Sequence, residues 1–294
     1  MWIKKGVIFK DRHAQMPTVE ENGDTLRIYY STKIDGKSNI GYFEVDADDP
    51  SKIKYKHEGF VLEPGERGCF DDSGVMPSCI TKLHEETYLY YTGWNIDKGE
   101  VPYGHGIGLA KKQGDVFDRI WQGPILDRGC KVPFLANSPC VINLNNKQMM
   151  FFCNGTGWMD NFPTYKICRA SAGPNWTVVE NIVGESEEAC SRPCVLKHNN
   201  NWHMFFSKKT KDTNYKIVYA TGNEVFQRPT PAVWKFHWKW EIRDKTIIEP
   251  GCAGQWDSDM QCYPWVHVHG DRAYMFYNGN GYGETGIGWA ERYL

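Results

Sequence analysis

The sequence predicts an all-β chain, a five-bladed β-propeller of four-stranded blades that occupies residues 1–294 as one domain. Three observations carry this prediction. A proline followed by a short apolar run recurs five times, at Pro17, Pro77, Pro139, Pro193 and Pro264. Each recurrence leads into the same order of polar turn, aromatic strand and further strands. The first residues, WIKKGVIF, read as a strand with nothing before it to pair with.

The prolines are separated by 60, 62, 54 and 71 residues, too irregular for a solenoid and suited to blades with loops of variable length. After each proline run comes a turn (ENGD, LHEE, LNNK, HNNN, HGDR) and an aromatic second strand (RIYYS, YLYYT, QMMFF, HMFFS, AYMFY). Third strands follow as NIGYFEV, GIGLAKK, YKICRAS, YKIVYAT and GIGWAER, and fourth strands are expected at GFVLEPG, GPILDRG, ENIVGES and TIIEPG. The last unit has no fourth strand of its own, so Trp2 to Phe9 is expected to supply it and close the ring, which hides the sheet edge. Each proline is expected at a strand start, where its missing N–H needs no partner.

Composition narrows the function. Lys and Arg number 34 against 36 Asp and Glu, a net charge of -2, so no basic surface is on hand for a phosphate backbone and nucleic acid is not an expected partner. The N-terminus lacks the apolar core of a secretory signal, and no run approaches 18 apolar residues, so a cytoplasmic protein without membrane insertion is expected. Ten cysteines then read as free thiols. Cys79, Cys140 and Cys194, just past the prolines, read as small buried hydrophobes. No cofactor and no metal site is expected; His267 and His269 share one face of the fifth inner strand, but two imidazoles without a third ligand make a weak metal signal.

In such a blade the segment before the first strand and the segment after the second meet at one rim. Five positions before the prolines stand Arg12, Asp72, Phe134, Glu188 and Asp259. Three of these are acids expected to converge, and mutual repulsion would raise the pKa of at least one toward that of a general acid. His13 and Arg192 lie on the same segments, Arg192 suited to a bidentate anion contact. Past the second strands, Trp94, Trp158 and Tyr282 offer stacking faces for sugar rings, Asn154 a hydroxyl partner and Lys208 an anion contact. Trp256 lies on the lead-in to Asp259.

Five blades, terminal closure and rim acids resemble the five-bladed propeller superfamily of glycosidases that includes arabinanases, β-xylosidases, invertases and levansucrases. FDDSGVMPS resembles its acid-bearing lead-in segments, and ESEEACSRP a segment that holds an acid/base glutamate. The first blade departs from the pattern: Asp11 is six residues before Pro17, one out of register. The chain is also similar to glycosidase-like propellers of bacterial surface-polysaccharide assembly. The resemblance implies a glycoside hydrolase or glycosyl-transferring enzyme with Asp72, Glu188 and Asp259 as catalytic carboxylates, at roughly 5–5.5 Å apart for retention or roughly 6.5–9.5 Å for inversion. The alternative is a non-catalytic propeller that binds a glycan or sugar nucleotide; a scaffold docking a partner on its rim is a further rival.

Overall fold

A computed structural model describes the chain except Lys98, Glu100, Asn145, Asn146, Asp160, Pro174, Pro231 and Ala232, with side chains described outside residues 159, 225–230 and 233–237. The strands fall into five antiparallel meanders of four. β1 (Ile3–Phe9) opens the chain. Unit 1 comprises β2 (Gln15–Asn22), β3 (Thr25–Ile34), β4 (Lys37–Asp46) and β5 (Ile53–Lys56). Unit 2 comprises β6 (Gly74–Leu83), β7 (Glu86–Ile96), β8 (Tyr103–Gln113) and β9 (Val116–Arg119). Unit 3 comprises β10 (Leu135–Leu144), β11 (Lys147–Met159), β12 (Phe162–Ser171) and β13 (Thr177–Val183). Unit 4 comprises β14 (Glu188–His198), β15 (Asn201–Thr210), β16 (Lys216–Thr230) and β17 (Val233–Arg243). Unit 5 has β18 (Cys262–His269), β19 (Arg272–Asn278) and β20 (Ile287–Tyr293), and β1 completes it, from Ile3 opposite Glu291 to Phe9 opposite Ile287.

The first strands of successive units touch in the order β2, β6, β10, β14, β18, and β18 returns to β2. Second strands lie between neighbouring units and are buried on both faces, which is why they read as unbroken aromatic runs rather than alternating ones. Such a run needs room across the sheet. Gly108, opposite Tyr91, is one case: a Cβ there would meet the Tyr91 ring at 2.2 Å. Gly108 is therefore a steric requirement of the tyrosine beside it.

Two expectations about the repeat change. The fourth strands form upstream of GFVLEPG and GPILDRG, at β5 and β9. Those segments are connections that leave the outer edge and touch their own unit's third strand by a single bridge, Leu62 to Ile40 and Leu126 to Ile107. TIIEPG likewise lies past β17, with the Ile247 N–H donating to the Ile217 carbonyl. The prolines, in turn, lie inside the inner strands at register shifts: between Gln15 and Thr18, Asn137 and Cys140, Ser191 and Cys194, and Cys262 and Trp265. Each is a β-bulge, where a missing N–H costs no ladder bond. The residue before the proline is left-handed in four units: Met16, Ser138, Arg192 and Tyr263, with φ of 52° to 56°. Side chains rarely adopt this conformation, and tertiary contacts must hold it.

Those contacts come from the neighbouring unit. The Met16 N–H donates to Asn278 Oδ1 at 2.9 Å, Ser138 N–H to Thr92 Oγ1 at 2.8 Å, and Tyr263 N–H to Ser207 Oγ at 2.8 Å. The three acceptors end equivalent aromatic strands. Deeper in the ring, the Val141, Val195 and Val266 N–H groups donate to the Sγ atoms of Cys79, Cys140 and Cys194 at 3.2–3.3 Å. These thiols are buried, as expected, and also bridge adjacent inner strands. All ten cysteines are free.

A second repeated device ties the lead-in segments of units 1, 2 and 5 to their own units. Asp71 accepts from the Tyr91 hydroxyl at 3.1 Å and pairs with Arg119 at 2.8 Å. Asp257 accepts from Tyr277 at 3.0 Å and pairs with Lys4 at 2.9 Å, and Asp11 accepts from Tyr30 at 3.2 Å. The recurring acid is thus Asp11, Asp71 and Asp257, a clasp between lead-in, second and fourth strands. Asp11 and Asp71 each stand six residues before their proline, and Asp257 seven before Pro264.

At the centre lies Arg192, 1% exposed. Its Nη1 donates to the carbonyls of Pro77 and Ser78 at 3.2 and 2.9 Å, and Nη2 to the Pro17 carbonyl and Thr18 Oγ1 at 2.8 and 2.7 Å. One side chain of unit 4 thereby holds the inner strands of units 1 and 2. Burial lowers its pKa to about 10, still cationic at neutral pH. Arg192→Ala would leave four buried acceptors unpaired and is expected to cost about 3–5 kcal/mol, a fall in melting temperature on the order of 10 °C. Thermal and urea unfolding measure this, and wild-type stability in the variant would remove Arg192 from its place as hub.

Candidate functional site

A cavity of about 330 Å³ opens on the side of the ring where the bulges lie. The bulge residues Met16, Ser138 and Tyr263 reach its wall, so the left-handed turns that interrupt the inner strands also aim side chains at it. Loops and strand ends add Trp94, Tyr103, Tyr165, Tyr215 and Tyr282. Six Trp and Tyr side chains thus line the wall, arranged by edge and hydroxyl contacts. The Tyr103 and Tyr165 hydroxyls are 3.2 Å apart, and Tyr215 stands edge-on to Tyr282 with centroids at 6.1 Å.

Two cations reach this wall, Lys33 and Lys209. The Lys209 ammonium lies 4.8 Å from the Tyr215 ring centroid and 5.5 Å from that of Phe162, with the Tyr282 hydroxyl at 3.4 Å. Burial lowers its pKa. Neither lysine has a carboxylate partner among the described residues, and no acid reaches the cavity wall. Among the described residues, ring quadrupoles and the Tyr282 hydroxyl hold the Lys209 charge, each ring contact worth about 0.5–2 kcal/mol.

His105 also lines the cavity, stacked on Tyr103 at 4.7 Å. Burial pushes its pKa down to about 4, so the imidazole is neutral at pH 7. Asn137 Nδ2 lies 2.9 Å from Nδ1. An amide nitrogen only donates, so Nδ1 accepts and Nε2 holds the ring proton.

The three acids expected to converge lie apart from this wall, each with partners on its own loop. Asp72 accepts from the Gly68 N–H at 2.8 Å and the Ser73 hydroxyl at 2.9 Å. Glu188 pairs with Lys208 at 2.6 Å and accepts from the Glu185 N–H. Asp259 accepts from the Ser258 hydroxyl at 2.9 Å, and its own N–H donates to Asn280. No hydrogen bond joins any two of the three, and none of them lines this cavity. Next to Asp72, the Ser73 N–H donates to the carbonyl of the cavity residue Trp94 at 3.1 Å.

Of the residues expected to touch ligand, Trp94 and Tyr282 line the cavity, and the Trp94 indole N–H is steadied by Ser38 Oγ at 3.1 Å. Trp158 stands behind Tyr103, edge-on at 5.6 Å. His13 is half-buried beside Lys33, its pKa lowered by burial and then by that lysine. The others make their contacts within the fold, with Asn154 Oδ1 buried and without a hydrogen-bond partner. Arg192 is on the axis, Asn154 donates to the Lys131 carbonyl at 2.9 Å, Lys208 pairs with Glu188 and Asp244, and Trp256 packs on Tyr277 at 5.0 Å. Sequence reasoning passed over Tyr103, His105, Tyr165, Lys209, Tyr215 and Tyr263. Lys209 adjoins the lysine it selected, and only strand parity separates the two: consecutive side chains on β15 point to opposite faces.

Comparison with known proteins follows from this geometry. No family model matches the chain. Two Mycobacterium tuberculosis proteins, each described as uncharacterized, are 32% identical (strain CDC 1551 / Oshkosh) and 31% identical (strain ATCC 25618 / H37Rv) over 310 aligned positions, covering 98% of this chain and of each relative. Among solved structures, a glycoside hydrolase superposes with a TM-score of 0.74 at 17% identity, over 98% of this chain and 91% of that one. A thermostable family-43 glycoside hydrolase gives 0.64 at 14%, over 97% and 91%. A structure from work on GH130 glycoside hydrolases that target β-1,2 mannosidic linkages in Candida mannan gives 0.66 at 13%, over 98% and 86%. At these identities the likeness is one of fold, the β-propeller type.

The neutral imidazole has a pH consequence. Between about pH 6.5 and about pH 4 the unfolded chain binds a proton at His105 that the folded chain does not, so this residue's contribution to stability is lost as pH falls through that window. His105→Gln should flatten this part of the pH dependence, measured by urea unfolding at pH 7 and pH 4.5. The same loss on acidification in wild type and variant would contradict it.

Proposed function

Because the chain belongs to the family of the two Mycobacterium tuberculosis proteins and has the fold of propeller-type glycoside hydrolases, we propose that it is a carbohydrate-active protein that binds a glycan or sugar nucleotide in the aromatic cavity. In this reading its five units are the blades of one closed propeller domain. The observation that carries it is the cavity wall: aromatic faces suited to sugar rings or a base, with two lysines that lack a carboxylate partner. An electropositive cavity, with no acid on its wall among the described residues, favours a ligand with a phosphate or carboxylate, and a sugar nucleotide fits both features. Trp94 and the tyrosines would stack on rings, Lys209 and Lys33 would meet the charge, and His105 Nε2–H, Asn137 and Ser138 would serve hydroxyls. A cytoplasmic role in surface-polysaccharide assembly is consistent with such a ligand. Among the described residues, no helix is long and apolar enough to cross a membrane.

A second reading, glycoside hydrolysis or transfer, is favoured by the solved structures named above and by the backbone link between the Asp72 loop and Trp94. Glu188 would act as general acid once freed from Lys208, with Asp72 or Asp259 as base or nucleophile.

Calorimetry of the full chain with UDP-glucose, glucose 1-phosphate and neutral oligosaccharides separates the readings. Binding of a charged sugar is expected, weakened about 10- to 100-fold by Lys209→Met, since a hydrogen bond to a charged group is worth about 1.5–3 kcal/mol. Trp94→Ala should weaken charged and neutral sugars alike. Release of sugar from an oligosaccharide that stops in Glu188→Ala would establish hydrolysis instead, and no binding by any of these probes would overturn the carbohydrate reading.

A further inference from the structure

The two ends of the ring meet where unit 5 faces unit 1, and a cluster of donors spans that seam at the end of the inner strands remote from the aromatic cavity. His267 and His269 lie two apart on β18 and so share a face. β2 brings Glu21 to them from the neighbouring unit. Glu21 Oε1 is 2.8 Å from His269 Nδ1, and Glu21 Oε2 is 3.4 Å from His267 Nε2. One donor atom from each of the three residues lies within 4.8 Å of the other two.

Two details go beyond an ordinary ion pair. His267 Nε2 is buried and makes no hydrogen bond, although a carboxylate oxygen is close. A nitrogen so placed has its lone pair or proton unused, which is costly unless another ligand takes it up. Behind His269, on its other ring nitrogen, stands the Asp48 carboxylate, with Nε2 to Oδ1 at 3.4 Å. A carboxylate on the far nitrogen of an imidazole is the usual outer support of a metal-bound histidine, since it fixes the tautomer and strengthens the donor. The Asp48 backbone is in turn held by Arg272 and Tyr274, which donate to its carbonyl at 3.0 and 3.2 Å.

We propose that Glu21, His267 and His269 bind a divalent first-row cation, with zinc as the type case, and that the ion clips unit 5 to unit 1 across the ring closure. Two imidazoles and one carboxylate are a donor set suited to zinc, and water would complete a tetrahedron. Bonds of about 2.0–2.2 Å imply donor separations of roughly 3.3–3.5 Å. The 3.4 Å contact, on Glu21 Oε2, already has that spacing, and the 2.8 Å contact, on Oε1, would lengthen by about 0.5–0.7 Å to reach it. The cation would join Glu21 and His269, 248 residues apart in sequence, and closing so long a loop removes much freedom from the unfolded chain. It would bind the closed ring in preference to an open one and stabilise it by mass action. The site stands apart from the aromatic cavity and holds whichever ligand that cavity takes.

The test uses the full chain, freed of metal with EDTA and titrated with ZnCl2 in a calorimeter, with melting curves before and after. One saturable equivalent is expected, with a rise in melting temperature on the order of 5 °C at zinc near 100-fold above the dissociation constant. Glu21→Gln and His269→Ala should each abolish both effects while melting, in EDTA, close to the metal-free wild type. Cobalt in place of zinc should give a visible spectrum without thiolate-to-metal charge transfer, a readout independent of folding. No saturable binding would overturn the proposal. So would binding that survives both variants, or a thiolate spectrum, since Cys130 and Cys252 are exposed and would then be the ligands.

Discussion

The ring of inner strands depends on one buried guanidinium. Strands that converge on an axis cannot all pair with one another, so the carbonyls at the bulges would face the centre without partners. Arg192 answers three of these carbonyls, and the Thr18 hydroxyl beside them, from a single side chain. Planarity matters: the forked geometry of Arg reaches two strands at once, where a lysine would meet one. The charge stays buried without a carboxylate because carbonyl dipoles point at it and the Trp265 ring lies 5.5 Å away. The same arrangement divides the axis. On one side lies the aromatic cavity, and on the other a narrower space walled by Cys79, Cys140 and Cys194.

Around this hub, short side chains do what backbone ladders do elsewhere. Thr92, Ser207 and Asn278 catch the bulge N–H of the next unit, and three thiols catch another N–H further in. Neighbouring units are splayed too far for continuous pairing, leaving one parallel bridge between β4 and β6 and one between β12 and β14. The connection between units is thus side chain to backbone, and it forces the left-handed residues whose side chains reach the cavity wall. Fold and site share these bulges.

Electrostatics within the units follow one pattern and those of the cavity another. Asp71 and Asp257 are buried but answered by a cation and a tyrosine each, so their charges stabilise local geometry. Lys209 is answered only by ring faces and a hydroxyl. This difference separates groups that complete the fold from a charge left without a carboxylate partner among the described residues.

Much of the architecture was legible in the sequence. The proline repeat, the aromatic second strands and the orphan strand at Trp2 to Phe9 mark strand order and terminal pairing, because burial on both faces and the need to cover an edge act on local sequence. Acid, aromatic and amide residues at the rim were legible as residue types. Their roles were not. Asp11, Asp71 and Asp257 form the repeated clasp while Asp72 and Asp259, one or two positions on, face other partners. Lys209 reaches the cavity while Lys208 pairs with Glu188, and Glu21 joins His267 and His269 from the far end of the chain. In each case the deciding fact is which face of a strand a side chain takes, or which distant strand lies beside it. A bulge shifts the first by one residue and ring closure sets the second, so the sequence by itself determined strand order and composition of the rim, and only the tertiary structure decided which of its residues meet.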